Sequence, residues 1–203
     1  ILAFAGGADI IARIIGQRMQ ESFGQPVVVE AMSGAGGAVG AQYVARAAPD
    51  GYTLLLSTSS TQVMNQFLSK NTGYDPIKDF TPIARTSETV LMVIANQSQP
   101  FANMKELVEY AKKNPGKVSY GTSGVGTAHH LSGEQLALVA GLNWVHVPYK
   151  GGPPVVTDTM TGQVEVGFTI LATASPFLSS GKLKILGINN ERRFPGLANV
   201  PTV

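Results

Sequence analysis

The strongest constraint on the fold is an alternation of helical segments with short apolar runs, which continues along the whole chain. Apolar residues between Ile10 and Phe23 repeat at helical spacing and Gly24 follows them, so a helix is predicted over 9–23. The β-branched run at 27–29 then predicts a short buried strand. Chains in which helices and strands alternate fold as a parallel sheet with helices on both faces. The pattern therefore predicts the α/β class.

The remaining elements follow in the same order. Further helices are predicted through Tyr43 and Ala47 and over 63–68, 104–113, 129–140, 154–161 and 174–180. Further strands are predicted over 52–56, 82–84, 90–95, 118–120, 144–147, 164–168 and 183–188. The alternation is interrupted between Asn96 and Asn103, which predicts a crossing between two lobes.

The composition excludes several classes of protein. The 203 residues contain no cysteine, so disulfide scaffolds, thiol nucleophiles and cysteine-ligated metal sites are impossible. The 15 Lys and Arg residues are dispersed among 13 Asp and Glu residues, without the basic run that would follow a phosphate backbone. The longest apolar stretch, 90–95, is far shorter than the roughly 20 residues of a membrane-spanning helix. We therefore predict neither nucleic-acid binding nor a membrane span.

Three loops between a strand and the next helix are rich in Gly, Ser and Thr. They cover 4–9, 57–61 and 120–127. The first backbone N–H groups of a helix have no partner within the helix and carry the positive end of its dipole, so such loops suit anions. Open α/β sheets also bind their ligands at the carboxyl ends of the strands. The three loops therefore predict an anion-binding site.

Sharper catalytic and cofactor motifs are incomplete. Residues 121–127 have the frame of a phosphate-binding loop without its Lys, and Val39 occupies the third glycine position of a dinucleotide fingerprint. Ser123 misses the nucleophile elbow by one position and has no Asp and His following it in the required order. His129 and His130 are adjacent, so a regular helix cannot aim both at one metal ion. No metal, no cofactor and no catalytic residue are predicted.

Many short motifs of this chain, in this order and spacing, resemble the solute-binding receptors of tripartite tricarboxylate transporters, the Bug or TctC family. The matching segments are 6–13, 24–30, 34–37, 48–54, 120–127, 147–152, 181–183 and 200–203. Each motif alone is weakly specific, whereas the combination runs through essentially the whole chain.

The resemblance implies a two-lobed type II periplasmic binding protein of the α/β class, in which each lobe is a mostly parallel sheet flanked by helices. It implies a periplasmic monomer that captures a small organic carboxylate in the cleft between its lobes and delivers it to the membrane permease subunits of the transporter. No enzymatic activity, cofactor or nucleic-acid partner is implied. The ligand-binding residues carried over by position are Gly6, Gly7, Ala8, Asp9, Ser57, Thr58, Ser59, Asn65, Thr122, Ser123, Gly126, Thr127, His130 and Thr169.

Two departures from the family pattern refine these expectations. Thr169 stands where the family often has Asp, and the absence of that carboxylate removes a partner for a ligand ammonium group, so we expect a carboxylate without an amino group. The first lobe is expected over 1–97 and 187–203 and the second over 98–186, with the first lobe truncated at its C-terminal side relative to the family.

Two other functions stay open at this point. One is an enzyme on a similar α/β frame that acts on a carboxylated or phosphorylated substrate, with Ser123 or His130 as the catalyst. The other is a sensor subunit that binds the same class of ligand and presents its bound form to a signalling partner.

Overall fold

The computed structural model describes residues 2–3 and 7–203, which form two compact units. The first unit holds the described residues up to Ser87 together with Gly126–Ala128. The second unit holds Glu88–Val125 and His129–Val203. The predicted ligand residue Gly6 lies outside the described residues.

The first unit contains a small parallel sheet and the helix predicted to begin the chain. Its strands and helices are β1 (Leu2–Ala3), α1 (Gly7–Phe23), β2 (Glu30–Ala31), α2 (Ala38–Ala45), β3 (Leu55–Leu56) and α3 (Asn65–Leu68). One turn of 3₁₀-helix, Ala35–Gly37, precedes α2, and a π-helical turn, Ser60–Met64, precedes α3. The described strands pair in the order β2-β1-β3, with Leu2 opposite both Glu30 and Leu55. A small core of Ala38, Ala41 and Tyr74 supports α2.

Strands in the first unit are shorter than the sequence predicts. The strand predicted over 27–29 is found at Glu30–Ala31, the one predicted over 52–56 is reduced to Leu55–Leu56, and 82–84 form no strand. A β-branched run becomes a strand only where a neighbouring strand and a buried face receive it. Here Val28 is 67% exposed and Ile83 is 78% exposed, so these side chains do not have a buried face to pack on.

The second unit is larger and follows the predicted order of elements closely. Its elements are β4 (Leu91–Asn96), α4 (Met104–Lys113), β5 (Ser119–Thr122), α5 (Ala128–Ala140), β6 (Val145–Pro148), α6 (Gly152–Thr161), β7 (Val166–Ile170), α7 (Leu171–Leu178) and β8 (Leu183–Asn189). Residue Ala128 of α5 is grouped with the first unit. A single 3₁₀ turn, Pro195–Leu197, follows β8.

The sheet of the second unit has the strand order β6-β5-β7-β4-β8. Strand β5 is parallel to β6 and β7, whereas β4 is antiparallel to β7 and β8. Four of its five strands therefore share one direction, which confirms the predicted α/β class with a mostly parallel sheet. The reversed direction of β4 departs from the parallel order that the alternation predicts.

Both faces of this sheet are covered, as an α/β sheet requires. Val93 and Phe168 pack in one buried cluster with Tyr120, while Met92 and Ile94 pack in another with Ile188. Adjacent residues of β4 therefore point to opposite cores, because side chains alternate along a strand. Burying each large apolar side chain stabilises the unit by about 1.5–3 kcal/mol relative to exposure.

The boundaries of the compact units differ from the predicted lobes. The first lobe was predicted to include 88–97 and 187–203, but both segments belong to the second unit. The physical reason is strand pairing: β4 lies between β7 and β8, with Leu91 opposite both Ile170 and Asn189. The segment after β8 stays with this sheet through a parallel bridge between Ile188 and Thr202.

Helix α4 shows how local signals fix an element. Asn103 Oδ1 accepts a hydrogen bond from the Glu106 amide at 3.0 Å, and Glu106 Oε2 accepts one from the Ala102 amide at 2.7 Å. The first bond satisfies an N–H group that the helix leaves free, and the second fixes the chain just before the cap; α4 begins and ends at the predicted residues. Among the described residues, every helix is too short or too polar to cross a bilayer.

Candidate functional site

The predicted ligand residues Gly7, Ala8 and Asp9 form the first turn of α1 in the first unit. Gly7 is buried, and Ala8 and Asp9 are half-buried. The Asp9 carboxylate accepts hydrogen bonds from Arg13 Nε at 2.9 Å and Arg13 Nη2 at 3.1 Å. Because Arg13 compensates this carboxylate, the contribution that the turn can make to an anion comes from its backbone amides and the helix dipole.

The second predicted loop of the first unit, 57–61, leads from β3 into the π-helical turn Ser60–Met64. Ser57 and Thr58 are half-buried and Ser59 is exposed, and Ser57 Oγ is a buried oxygen that has no hydrogen-bond partner among the described residues. Thr61 Oγ1 donates to the Gly36 carbonyl at 3.1 Å. Thr61, at the end of this loop, therefore lies beside the glycine-rich turn 34–37.

Asn65 contributes to the same contact with the glycine-rich turn. Its Nδ2 lies 3.2 Å from the carbonyl oxygens of both Ala35 and Gly36. The Tyr74 hydroxyl donates to the Thr61 carbonyl at 2.5 Å. Only 6% of Asn65 is exposed. The amide that was predicted to bind ligand is thus used to hold the turn, a role that the sequence did not indicate.

Gly126 and Thr127 are grouped with the first unit. Gly126 adopts φ +77°, a conformation that glycine permits at little cost, and Thr127 is buried. The following amide, Ala128 N–H, donates to Ser60 Oγ at 3.0 Å. One of the free N–H groups that begins α5 is therefore satisfied by a serine distant in sequence.

An open groove of about 530 Å³ lies beside α2. It is lined by Met32, Val39, Gln42, Tyr43, Arg46 and Ala47. None of the predicted ligand residues belongs to it.

The strongest polar constellation lies at the end of β5 in the second unit. Thr122 is fully buried and Ser123 is 4% exposed, yet the hydroxyl of each faces an imidazole nitrogen at 2.7 Å. Thr122 Oγ1 pairs with His146 Nε2, and Ser123 Oγ pairs with His129 Nδ1. The structure thus brings two predicted ligand residues together and gives each a histidine partner.

A stacked group of rings supports these hydroxyls. The His146 ring stacks on His130 with centroids 4.1 Å apart and on Tyr120 with centroids 4.9 Å apart. Tyr120 donates its hydroxyl proton to the Glu134 carboxylate, and His130 Nε2 lies 3.7 Å from the same carboxylate. A Cβ at Gly133 would overlap the Tyr120 ring, so a glycine is required where α5 approaches β5. His130, a predicted ligand residue, lies in this ring stack.

Burial keeps both partner histidines neutral. Desolvation lowers the pKa of His129 to about 4. Desolvation also lowers the pKa of His146 to about 4, and the neighbouring His130 lowers it further. Burial, helped by the hydrogen bond to Glu134, raises the pKa of Tyr120. At neutral pH the hydroxyls of Thr122 and Ser123 therefore face uncharged imidazoles, each with one N–H and one lone pair.

Thr169 lies near the end of β7, beside the start of α6. The hydroxyls of Thr169 and Thr173 are buried and find no hydrogen-bond partner in the portion of the chain that is described; only 1% and 6% of these residues are exposed. A Cβ built on Gly152 would lie 3.3 Å from Thr173 Oγ1 and 3.7 Å from Thr169 Oγ1. Both hydroxyls therefore lie close to Gly152, the first residue of α6.

Sequence reasoning missed the two histidines that contact the predicted hydroxyls. Parallel pairing of β5 with β6 places Tyr120 opposite His146, and the turn into α5 returns His129 to Ser123. No spacing rule would have found these contacts, because one depends on strand register and the other on the path of a glycine-rich turn. In the part of the chain that the structure describes, no three potential metal ligands cluster.

Comparison with known proteins supports the resemblance. The family model described as the tripartite tricarboxylate transporter family receptor matches residues 11–203. A curated relative from Pseudomonas sp. (strain P51), the UPF0065 protein in the tcbD-tcbE intergenic region, is 36% identical over 200 residues. That alignment covers 98% of this chain and 59% of the relative, so the chain spans about 60% of that protein's length.

Solved structures show the same fold with small acids bound. Rpa4515 of R. palustris, solved with adipate, is 32% identical with a TM-score of 0.95, and the match covers 100% of this chain and 69% of that one. MatC (Rpa3494) from Rhodopseudomonas palustris, solved with bound malate, is 31% identical with a TM-score of 0.91, covering 99% and 69% of the two chains. From the family model and these similarities together, we conclude that the chain belongs to the tripartite tricarboxylate transporter receptor family.

Proposed function

We propose that this protein is a periplasmic solute-binding receptor that captures a small carboxylate and delivers it to the permease subunits of a tripartite tricarboxylate transporter. The observation that carries the proposal is the pair of buried hydroxyls, Thr122 and Ser123, at the carboxyl end of β5. Support comes from relatives of the same fold that were solved with adipate and with malate.

The chemistry of this loop suits a carboxylate that is bound and released. Hydroxyl and amide donors next to the start of a 13-residue helix stabilise an anion without a buried cationic side chain. Each hydrogen bond to a charged group contributes roughly 1.5–3 kcal/mol. Because micromolar affinity corresponds to about 8 kcal/mol, a few such donors are enough after the cost of association.

The ligand residues proposed in the first unit are the first-turn amides at Gly7, Ala8 and Asp9, the loop 57–59, and Gly126 with Thr127. Asn65 is kept as a proposed ligand residue with a test of its own below, since its amide already contacts two carbonyls. In the second unit the proposed residues are Thr122, Ser123, His130 and Thr169. Each proposal assigns the residue an uncharged role, through its backbone amide or its side chain.

One observation bears on the enzymatic alternative. Ser123 and His129 have the 2.7 Å contact of a nucleophile and its base. However, burial lowers the pKa of His129 to about 4, which makes it a weak base at neutral pH. Within the described part of the chain, His129 Nε2 also lacks the hydrogen-bond partner that orients a catalytic imidazole. We therefore propose binding without turnover.

Calorimetry and mass spectrometry together test this proposal. We expect malate or adipate to bind the intact protein with micromolar affinity and to be recovered chemically unchanged after incubation. A ligand at 100 times its Kd should add about 2.7 kcal/mol to the free energy of unfolding and raise Tm accordingly. A new product in the mass spectrum, or the absence of binding by every small carboxylate tried, would refute the receptor proposal.

The transporter partnership needs a separate experiment. We expect the ligand-loaded protein, added to vesicles that contain the permease subunits, to support uptake of the labelled carboxylate. Binding without uptake, combined with capture of a signalling protein from the membrane, would instead favour the sensor alternative.

A further inference from the structure

The Ser123–His129 contact leaves one group of the imidazole unsatisfied. Nδ1 of His129 lies 2.7 Å from Ser123 Oγ, while Nε2 is buried and has no hydrogen-bond partner among residues 2–3 and 7–203. A neutral imidazole has one N–H, which can sit on either nitrogen. The position of this proton decides which member of the pair donates.

Burial of Nε2 favours one of the two tautomers. A proton on Nε2 would leave a buried N–H without an acceptor, whereas a proton on Nδ1 leaves only a bare lone pair there. Orphaned buried backbone N–H groups are rarer in proteins than under-satisfied carbonyl acceptors, and we apply the same order of preference to the imidazole. The Nδ1–H tautomer therefore fits this pocket, and in it His129 donates to Ser123 Oγ.

We propose that His129 is a positioning residue: by donating its Nδ1–H to Ser123 Oγ, it leaves the Ser123 hydroxyl proton available to a ligand carboxylate. The inference rests on the proposed function. A hydroxyl whose oxygen already accepts one hydrogen bond must use its own proton elsewhere, and a carboxylate is the strongest acceptor offered. Burial, which lowers the pKa of His129 to about 4, keeps the imidazole in the neutral form that this requires.

The neighbouring hydroxyl does not share this property. Thr122 Oγ1 accepts from the Gly124 amide at 3.3 Å and has the Gly124 carbonyl at 3.4 Å as an acceptor for its own proton. Its contact with His146 is made through Nε2. Of the two, Ser123 therefore has the hydroxyl proton that is left for a ligand.

The first test is independent of any ligand. Long-range ¹H–¹⁵N spectra of the ligand-free intact protein distinguish the two nitrogens of each imidazole, and His129→Asn assigns the His129 signals by their disappearance. We expect His129 as the neutral Nδ1–H tautomer at pH 7. Observation of the Nε2–H tautomer, in which Ser123 must donate to His129, would overturn the inference even if malate binds.

The second test measures coupling between the two residues with malate and adipate as probes. We expect His129→Leu to weaken binding about tenfold in the presence of Ser123 and by less than about twofold in a Ser123→Ala background. We expect His129→Asn, whose amide N–H replaces Nδ1–H, to retain affinity within about threefold. An equal loss in both backgrounds would show that His129 acts independently of Ser123 and would overturn the inference.

The two proposals fail in different ways. If neither probe binds the wild-type protein, the proposed function loses its support, while the tautomer of His129 still decides the inference. If His129→Leu does not fold, the His129→Asn affinity and the spectra remain decisive: a loss of more than tenfold in His129→Asn with an unchanged Tm would contradict the role of the donated proton.

Discussion

The two units each carry a hydroxyl-rich loop after a strand, and the loops have different partners. In the first unit, Thr61 and Asn65 bind backbone carbonyls of the glycine-rich turn 34–37. In the second unit, Thr122 and Ser123 contact imidazole nitrogens. Backbone carbonyls only accept hydrogen bonds, so they consume the protons of the first loop, whereas an imidazole can donate and leave a hydroxyl proton free. Similar composition thus gives a structural contact in one unit and a candidate binding surface in the other.

The largest effect is expected from a substitution at Gly37, which breaks the contact between Thr61 and the glycine-rich turn 34–37. Its φ of +90° disfavours any side chain, and a Cβ there would overlap Thr61 Oγ1. We expect Gly37→Ala to lower the free energy of unfolding by about 3 kcal/mol. Gly24, at φ +64° with open space around it, is the matched control, and Gly24→Ala should cost about 1 kcal/mol. Urea denaturation followed by circular dichroism measures both, and equal losses would contradict the packing explanation.

The second prediction compares one residue of each unit, Ser123 and Asn65, by the effect of its removal on ligand affinity and on stability. Ser123→Ala should weaken malate binding about 10- to 100-fold, because a hydrogen bond to a charged group is lost, and should also lower the free energy of unfolding by about 1–3 kcal/mol, because the buried His129 imidazole loses its hydrogen-bond partner. Asn65→Ala should lower the free energy of unfolding by about 1–3 kcal/mol without a comparable loss of affinity, because the Ala35 carbonyl loses its side-chain donor and the buried Gly36 carbonyl keeps only that of Thr61. Calorimetry and thermal melting of both variants decide the comparison. Weakened binding with unchanged stability in Asn65→Ala would restore Asn65 as a direct ligand residue.

The third prediction concerns pH, because all three histidines lie in the second unit. Burial lowers the pKa of His129 from 6.5 to about 4, so between these values the unfolded chain binds a proton that the folded unit does not. The free energy of unfolding therefore decreases as the pH falls from about 6.5 to about 4, by on the order of 2 kcal/mol.

Fluorescence of Trp144 measures this effect selectively, since it is the single tryptophan and is buried in the second unit. Urea midpoints at pH 7 and pH 4.5 should differ less in His129→Asn than in the wild type. The same pH dependence in both proteins would assign the proton to another group.

The fourth prediction concerns the selectivity of the site between malate and aspartate, to which Thr169 contributes. Malate and aspartate differ by a hydroxyl in place of an ammonium group, and no carboxylate is available from Thr169 to pair with an ammonium. We expect malate to bind at least about tenfold more tightly than aspartate, a difference of about 1.4 kcal/mol. Thr169→Asp should reduce this preference, and Thr169→Asn, of similar size without charge, should not. Tighter binding of aspartate by the wild type would refute the expectation of a ligand without an amino group.

The smallest effect is expected at the N-terminal cap of α4. Asn103→Ala removes the acceptor of the Glu106 amide and should lower the free energy of unfolding by about 1 kcal/mol. Lys105→Ala, an exposed change in the same turn, should alter it by less than about 0.5 kcal/mol. Urea midpoints read by Trp144 fluorescence compare the two, and equal values would show that the cap contributes nothing.

The two units also differ in how well the sequence predicts their elements. Helix α4 was predicted residue for residue, because its cap and its apolar spacing are local. The strand expected over 27–29 was displaced, because its run of valines lacks the covered face that a strand requires. At the candidate site, Thr122 and Ser123 could be singled out as polar groups on a glycine-rich turn, but neither histidine partner could be assigned.

By itself, the sequence determined the α/β class, the positions of most helices, the family and the glycine-rich loops, since these follow from spacing, capping residues and the order of short motifs. Tertiary structure alone decided the reversed direction of β4, the contact of Asn65 with the turn 34–37, and the imidazole partners of Thr122 and Ser123. The physical reason is range: helical hydrogen bonds join residues four apart, whereas strand register and buried polar contacts join residues whose proximity exists only after the chain has folded.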